Sequence, residues 1–429
     1  MINFEKITSL KGAIEVPADK SITHRALLFS SLATGTSIIY NPLKSYDTLA
    51  TLEIIGMLGV DAEIEEKRII VHSRGYKNFV EPTTVLDCKN SGTTARLLLG
   101  VLAPQKKYFV ITGDDSLRKR PIDRVIMPLK SLGAKIFARD ENRLLPATII
   151  QSDMFGGKIE QTAASAQVKS AVLFAGVQIP DEITYIEKVK TRNHTELLAP
   201  AYGVDISLCD DIIYVKGGKE LKNYNITVPG DFSSAAFFIA AALIFENSSI
   251  TIKNIGFNNT RAGFLKVLKS MGAKIYVDEK KYDIEPVCDI TVDYSSLEGI
   301  IVDGEIIPNI IDELPLVALL GLFSENPVEV RSAKELRIKE SDRIKSIVFN
   351  INALGGNIEE YDDGFKVYPL KKDKTDREII LKSFGDHRIA MINILLAKKF
   401  GKNVNVDDIG SINVSNPEYL SLLKMLEVK

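Results

Sequence analysis

The sequence predicts an α/β protein of two lobes, each built from three copies of one strand–helix–strand–helix–hairpin unit. Three observations carry this. Six apolar helical runs open on a short polar cluster, at intervals of about 66 to 81 residues. Between them a second phrase recurs, a helix that ends at Gly and continues as a hairpin. Two breaks, at Pro17 and at Pro229-Gly230, precede polar-opened helices three copies apart. A repeat of this length exceeds solenoid periods and marks duplication.

In chain order, residues 1–19 read as two short strands with Gly12 between them, and Pro17 interrupts the chain before the first helix. Ser21-Ile22-Thr23-His24-Arg25 opens the apolar run 26–32, and Asn90-Ser91-Gly92-Thr93-Thr94 opens Leu97-Leu98-Leu99. Ser165-Ala166-Gln167 opens 171–175, Asp231-Phe232-Ser233-Ser234 opens 235–243, Asp312-Glu313 opens 316–322 and Asp386-His387-Arg388 opens 389–397. The hairpin phrase turns at Gly59, Gly133, Gly203, Gly272 and Gly355. Each Gly is expected to end its helix in the left-handed conformation, with a strand of alternating residues after it. Tyr419–Leu426 reads as the helix of a sixth copy with no hairpin behind it. The lobes are therefore expected at 20–228 and at 1–19 plus 229–429, with the N-terminal strands assigned to the second and the site in the cleft between them. Two crossings between lobes suit a hinge.

Composition narrows the function. A hydrophobic fraction of 45% and a charged fraction of 26% describe a globular protein, and a net charge of −2 offers nothing global to nucleic acid or an acidic membrane surface. Cys88, Cys209 and Cys288 are odd in number and far apart, as expected of reduced thiols. No apolar run reaches membrane-spanning length and no leader pattern opens the chain, so a cytoplasmic enzyme is expected. HExxH, paired CxxC, a calcium loop, the Walker sequence and GxGxxG are all missing, and neither metal nor cofactor is expected.

What remains is a set of helix N-termini, which attract anions through free N–H groups and the helix dipole, together with Arg and Lys. Arg96 sits in the first turn of one such helix and presents a planar fork suited to phosphate or carboxylate. Lys20 stands at a helix start, where the dipole disfavours a cation, beside Ser21 and Arg25 at the first break. Arg120 is held against Pro121, while Arg118 and Lys119 read as solvated. Ser165, Ala166 and Gln167 offer a hydroxyl, free amides and a carboxamide; a plain helix cap explains them nearly as well. Arg192-Asn193-His194-Thr195-Glu196 is a further, ambiguous polar opening. Asp312, embedded among apolar residues, is either an N-cap or a base facing the cleft. The run 334–345 looks like a solvated helix face, but Lys339, Glu340 and Arg343 fall at helical spacing and form a reasonable proton-transfer cluster. His387 and Arg388 complete the set. It suits two small polyanions in a closing cleft.

PADKSITHRA, LDCKNSGTTARLL, Arg120-Pro121, ASAQVKSA, RNHTE, NIIDELP, LRIKESDR and GDHRIAM resemble, in order, the motifs of the 5-enolpyruvylshikimate-3-phosphate (EPSP) synthase family across essentially the whole chain. The resemblance implies an inside-out α/β fold with three βαβαββ units per lobe. It also implies a metal-free reaction in which the 5-hydroxyl of shikimate 3-phosphate attacks C2 of phosphoenolpyruvate. By the same resemblance Lys20, Ser21, Arg25, Ser165, Ala166, Gln167 and Arg192 hold shikimate 3-phosphate, with Asp312 and Lys339 at its hydroxyl. Lys20, Asn90, Gly92, Arg120, Gln167, Arg343 and Arg388 hold phosphoenolpyruvate. Asp312 is the implied base, and Glu340 with Lys20 manages the proton at the methylene carbon. Ala166 and Arg192 resemble the branch called class II. The stretch 411–417 lacks the phosphoenolpyruvate-binding Lys of some family members. Gly92 stands where a bulkier Ala crowds glyphosate, which makes glyphosate a candidate inhibitor, and a monomer is expected.

Two other functions compete. UDP-N-acetylglucosamine enolpyruvyl transferase shares the fold, but usually carries a loop Cys in a Gly-rich setting and a Lys-Asn start, where this chain has Lys20-Ser21. An RNA-end-processing protein on a related duplicated fold needs a basic face with exposed aromatics, against the acidic balance and lack of Trp here.

Overall fold

The computed structural model describes residues 1–161, 164–370 and 378–428. The chain forms two compact units, an N-terminal one of residues 18–228 and a C-terminal one of residues 1–17 with 229–429. Ala18 and Asp19 fall with the N-terminal unit, two residues before the boundary drawn from sequence. The reason is local: Asp19 caps the helix Lys20–Leu32 (α1), accepting from the Ile22 N–H at 2.8 Å.

In the N-terminal unit three sheets each go with one buried helix. Leu86–Asp87 and Phe109–Thr112 run parallel on either side, in sequence, of Gly92–Leu102 (α2), and the hairpin Lys135–Ala138 with Leu144–Ile150 completes that sheet antiparallel. Gly157–Glu160, Ile183–Ile186 and the hairpin of Asp205–Cys209 and Ile212–Lys216 repeat the pattern around Ala166–Gly176 (α3). The first copy has no upstream strand of its own. Leu221–Lys222 and Ile226–Thr227 return to pair parallel with Ala33–Tyr40, so the end of the unit closes on its beginning.

The C-terminal unit solves the same problem differently. Ser9–Glu15 is the missing first strand, parallel to Ser249–Gly256 across the core helix Phe232–Ile244 (α4). Gly12 therefore lies inside a strand, paired with Ile250, rather than between two strands; its φ of +115° bends the backbone without breaking the ladder. Ile301–Val302 and Val328–Val330 flank Leu314–Gly321 (α5) with a hairpin behind them. Ile379–Leu381 and Val404–Val406 flank His387–Phe400 (α6), and there the hairpin is absent among the described residues; Ile2–Asn3 takes its edge. After the helix Tyr419–Leu426, Glu427–Val428 pairs with Ser9–Glu15.

The arrangement is inside-out. Every residue of α4 is buried, as its apolar-all-round sequence FSSAAFFIAAALI demands. α1, α2 and α3 are buried along almost their whole length. Burying each Phe or Leu of these helices contributes about 1.5–3 kcal/mol. Gly59, Gly133, Gly203, Gly272 and Gly355 all take positive φ, between +79° and +93°, ending their helices as the repeated phrase predicts. Among the described residues no helix is long and apolar enough to cross a membrane. A helix buried on all sides leaves its polar opening as its one chemically usable part.

Candidate active site

In the N-terminal unit these openings are tied together chiefly by neutral groups. Lys20, the first residue of α1, is held by Asp47 at 3.0 Å, which offsets the unfavourable dipole. From α1 a chain of hydroxyls runs inward. His24 Nδ1 meets Thr51 Oγ1 at 2.8 Å, Thr51 meets Thr94 Oγ1 at 2.7 Å, and Thr94 donates to Ser91 Oγ at 2.7 Å. Ser91, not Asn90, caps α2 by accepting from the Thr94 N–H. Burial, then the neighbouring Lys20 and Arg25, hold the His24 pKa well below its ordinary value, so the ring is neutral.

Asn90 is released from capping and holds Arg120 instead. Its Oδ1 accepts from Arg120 Nη2 at 2.8 Å, while its Nδ2 donates to Asp114 at 2.6 Å. Arg96 is spent within the protein: Nη1 donates to Gln167 Oε1 at 2.9 Å and Nη2 to the Pro121 carbonyl at 3.0 Å. The anion fork suggested by its sequence position is thus a brace for Gln167, whose Nε2 also donates to Thr93 at 3.0 Å. A Cβ on Gly92 would stand 2.8 Å from Arg96 Nη1.

Arg25 is buried, donating from Nε to Thr195 at 2.7 Å, from Nη2 to Ser170 at 2.7 Å and from Nη1 to the Ser21 carbonyl at 2.9 Å. Ser165 occupies the N-cap position of α3, but its side chain makes no cap bond; the plain-cap reading does not describe its hydroxyl. Ala166 and Gln167 form the first helical turn behind it. Arg192 lies in the connection between Ile183–Ile186 and the short helix His194–Leu198.

The C-terminal unit concentrates charge. Asp312 is not an N-cap; Glu313 occupies that position before α5. Cations ring the Asp312 carboxylate: Arg343 at 3.4 Å, Arg388 at 3.7 Å, Arg261 at 3.8 Å and Lys339 at 4.0 Å. Arg388 Nη1 also donates to the Asp312 carbonyl at 3.0 Å. Arg343 is fully enclosed, pairing with Asp386 at 2.8 Å and Glu340 at 2.5 Å. Burial opposes its charge, but Asp386, Glu340 and Asp312 outweigh burial and raise its pKa. Burial likewise works to raise Asp386, yet Arg343 prevails and keeps it below the ordinary carboxylate range. Asp386 also caps α6 through the Arg388 N–H at 2.9 Å.

Lys339 and Glu340 are not on a helix, contrary to their spacing. A 3₁₀ turn over Lys334–Ile338 precedes them, and Asp342 starts a new helix, Arg343–Ala353, by accepting from the Lys345 N–H. Arg337 fastens that turn through Asp342 and Glu360 at 2.9 Å each. A turn and a fresh cap in close succession defeat the helical reading, and Glu340 meets Arg343 from the turn.

The sequence motifs pass over Arg261 and the partner roles of Asp231 and Ser233. Arg261 donates to Ser233 at 2.9 Å and pairs with Asp231 at 3.4 Å, and Ser233 in turn hydrogen-bonds Glu313. The repeat itself holds the signal. Arg120, Arg192 and Arg261 each stand two or three residues before the second helix of their copy, and Arg343 opens the second helix of its own. The sixth copy, at 411–417, has no such cation.

The profile of the family EPSP synthase (3-phosphoshikimate 1-carboxyvinyltransferase) matches residues 4–423. The 3-phosphoshikimate 1-carboxyvinyltransferase of Petrotoga mobilis is 44% identical over 423 residues, 97% of each chain. That of Bacillus subtilis is 39% identical over 426 residues, 99% of each. An EPSP synthase structure from Acinetobacter baumannii superposes with a TM-score of 0.86 at 33% identity, covering 100% of this chain and 98% of that one. With a family profile, curated relatives and solved structures all matching over nearly its whole length, the chain belongs to the EPSP synthase (3-phosphoshikimate 1-carboxyvinyltransferase) family.

Proposed function

We propose that groups from both units act on the same two substrates, with Asp312 as the base of the reaction. The enzyme transfers the enolpyruvyl group of phosphoenolpyruvate to the 5-hydroxyl of shikimate 3-phosphate and releases phosphate. Addition forms the bond from the 5-oxygen to C2 while the methylene carbon takes a proton; elimination returns a proton from the resulting methyl and expels phosphate.

The observation that carries the assignment is the ring of cations about Asp312. Two of them, Arg343 and Arg388, are also the groups proposed for the phosphoenolpyruvate anion. When substrate draws them away, a carboxylate that has lost opposite charges is readier to take a proton from the hydroxyl. Lys339 steers that hydroxyl, Arg343 and Arg388 hold phosphoenolpyruvate, and Glu340 with Lys20 handles the proton at the methylene carbon. From the N-terminal unit Ser21, Arg25, Ser165, Ala166, Gln167 and Arg192 take shikimate 3-phosphate. Asn90, Gly92, Arg120 and Gln167 take phosphoenolpyruvate. The Ser165 hydroxyl, which makes no cap bond, and the braced carboxamide of Gln167 support this. A cytoplasmic monomer, with glyphosate competing at the phosphoenolpyruvate side, completes the reading.

Phosphate release tests it. Shikimate 3-phosphate with phosphoenolpyruvate should support turnover, and UDP-N-acetylglucosamine should not replace the acceptor. Asp312→Asn should keep shikimate 3-phosphate binding and lower turnover by roughly two to four orders of magnitude. A raised KM with turnover intact would make Asp312 a positioning residue.

A further inference from the structure

The most deeply buried ion cluster of the N-terminal unit has no place in the reaction above. Lys169, in α3, is 0% exposed, and its Nζ lies 2.6 Å from Glu187 Oε1 and 2.7 Å from Glu196 Oε1. A lone buried ammonium costs several kcal/mol unless compensated, and here two acidic side chains are buried with it. Such an arrangement needs a reason beyond stability, because well-packed apolar side chains often serve a core equally well.

The connections supply that reason. Glu187 follows the strand Ile183–Ile186, and Glu196 lies in the helix His194–Leu198; Arg192 is between them. Lys169 binds both ends of this segment and also donates to the Thr191 carbonyl at 3.3 Å, immediately before Arg192. Glu187 Oε1 accepts from the Thr191 N–H at 2.9 Å and from its hydroxyl at 2.6 Å. Among the described residues neither oxygen of Glu196 accepts a well-directed hydrogen bond, and the ion pair to Lys169 compensates its burial. The residue after Lys169, Ser170, meets Thr195 at 2.7 Å. Lys169 also sits one helical turn from the cap Ser165, and its N–H donates to the Ser165 carbonyl at 3.2 Å. One side chain therefore ties the backbone on both sides of Arg192 to the helix whose opening carries Ser165, Ala166 and Gln167.

We infer that Lys169 is a positioning residue that holds Arg192 in register with the opening of α3, so that both grip the phosphorylated substrate together. This rests on the assignment of Arg192 to shikimate 3-phosphate, which the same experiment examines separately. A buried lysine of this kind sets where a ligand group stands without touching the ligand.

Shikimate 3-phosphate binding is measured by calorimetry on the full chain for Arg192→Gln, Lys169→Met and the double variant. Arg192→Gln alone should weaken binding; if it does not, the assignment of Arg192 fails. Lys169→Met should weaken binding on the order of ten- to a hundredfold, the scale of a displaced contact group. It should add little in the Arg192→Gln background, because the two act through one contact. Lys169→Arg, which keeps the charge, should recover part of the loss. Full additivity of the two substitutions, or unchanged binding in Lys169→Met, overturns the inference while leaving Arg192 in place. Should Lys169→Met not fold, Thr191→Val and Glu187→Gln perturb the same clamp more gently. Weakened shikimate 3-phosphate binding that is non-additive with Arg192→Gln is then expected, and additivity or unchanged binding counts against the proposal.

Discussion

The two units repeat one architecture and fill its helix openings with different chemistry. In the N-terminal unit the openings are linked chiefly by Ser, Thr, His and Gln: His24–Thr51–Thr94–Ser91 on one side, and on the other Gln167, held by Thr93 and by the one cation Arg96. In the C-terminal unit the corresponding openings merge into one ionic cluster joining Asp231, Arg261, Asp312, Glu340, Arg343, Asp386 and Arg388. Neutral networks fix geometry without answering strongly to an arriving charge. Ionic clusters respond to every charge that enters, since opposite charges shift proton affinities over several ångströms. On the proposed assignment of residues, positioning falls mainly to the first unit and proton transfer mainly to the second. The first unit keeps ionic contacts of its own, Lys20 with Asp47 and the buried Lys169 with Glu187 and Glu196.

The strongest way to break this contrast is to neutralise the ionic side without changing its shape. Glu340→Gln should lower turnover by roughly two to four orders of magnitude and slow entry of solvent deuterium into the methylene group, with substrate binding retained. Normal exchange would remove Glu340 from the proton path. Next in size, Arg120→Ala should weaken phosphoenolpyruvate by about ten- to a hundredfold, the value of a charge-assisted hydrogen bond, and leave shikimate 3-phosphate unchanged by calorimetry. Equal losses for both ligands would show that the first unit does not sort the two anions.

A smaller effect is expected at Gly92. The added methyl of Gly92→Ala meets Arg96 Nη1 at 2.8 Å, and Arg96 cannot yield without loosening Gln167 or the Pro121 carbonyl. Phosphoenolpyruvate KM should rise by a few-fold to about tenfold, roughly the value of one hydrogen bond; an unchanged KM would show that this brace is slack. The smallest effect concerns pH. Because His24 has a folded-state pKa well below 6.5, the unfolded chain takes up a proton that the folded chain refuses. Its contribution to stability is present above pH 6.5 and is lost as pH falls from there toward the folded value. Melting temperature should thus fall more steeply between pH 7 and pH 5 in the wild type than in His24→Gln. Parallel slopes would mean that His24 titrates alike in both states.

Much of the fold is legible in the amino-acid sequence itself. The six core helices stand out because a helix buried on every side must be apolar throughout and must place its polar residues at one end. The five glycines at helix ends are equally readable, since left-handed backbone leaves few alternatives. Gly12 misleads because glycine marks a turn and a bent strand with the same letter. Lys339 and Glu340 fall at helical spacing without being helical because spacing cannot see the cap at Asp342. Arg96 looks like a ligand because its opening is polar, whereas its partners, Gln167 and Pro121, are distant in sequence. Lys169 goes unnoticed because a lone cation in sequence is ordinary and only the fold reveals the two acids around it, whereas Arg261 is legible from its place in the repeat.

The account turns on the separation of chemistry from positioning, and rapid-quench single turnovers at saturating concentrations of both substrates test it most directly. Under those conditions Arg120→Ala should recover a chemical step close to that of the wild type, because saturation makes good a binding loss. Asp312→Asn should remain slower by roughly two to four orders of magnitude at any substrate concentration. A chemical step in Asp312→Asn that saturation restores, with Arg120→Ala staying slow, would contradict the division of labour between the two units.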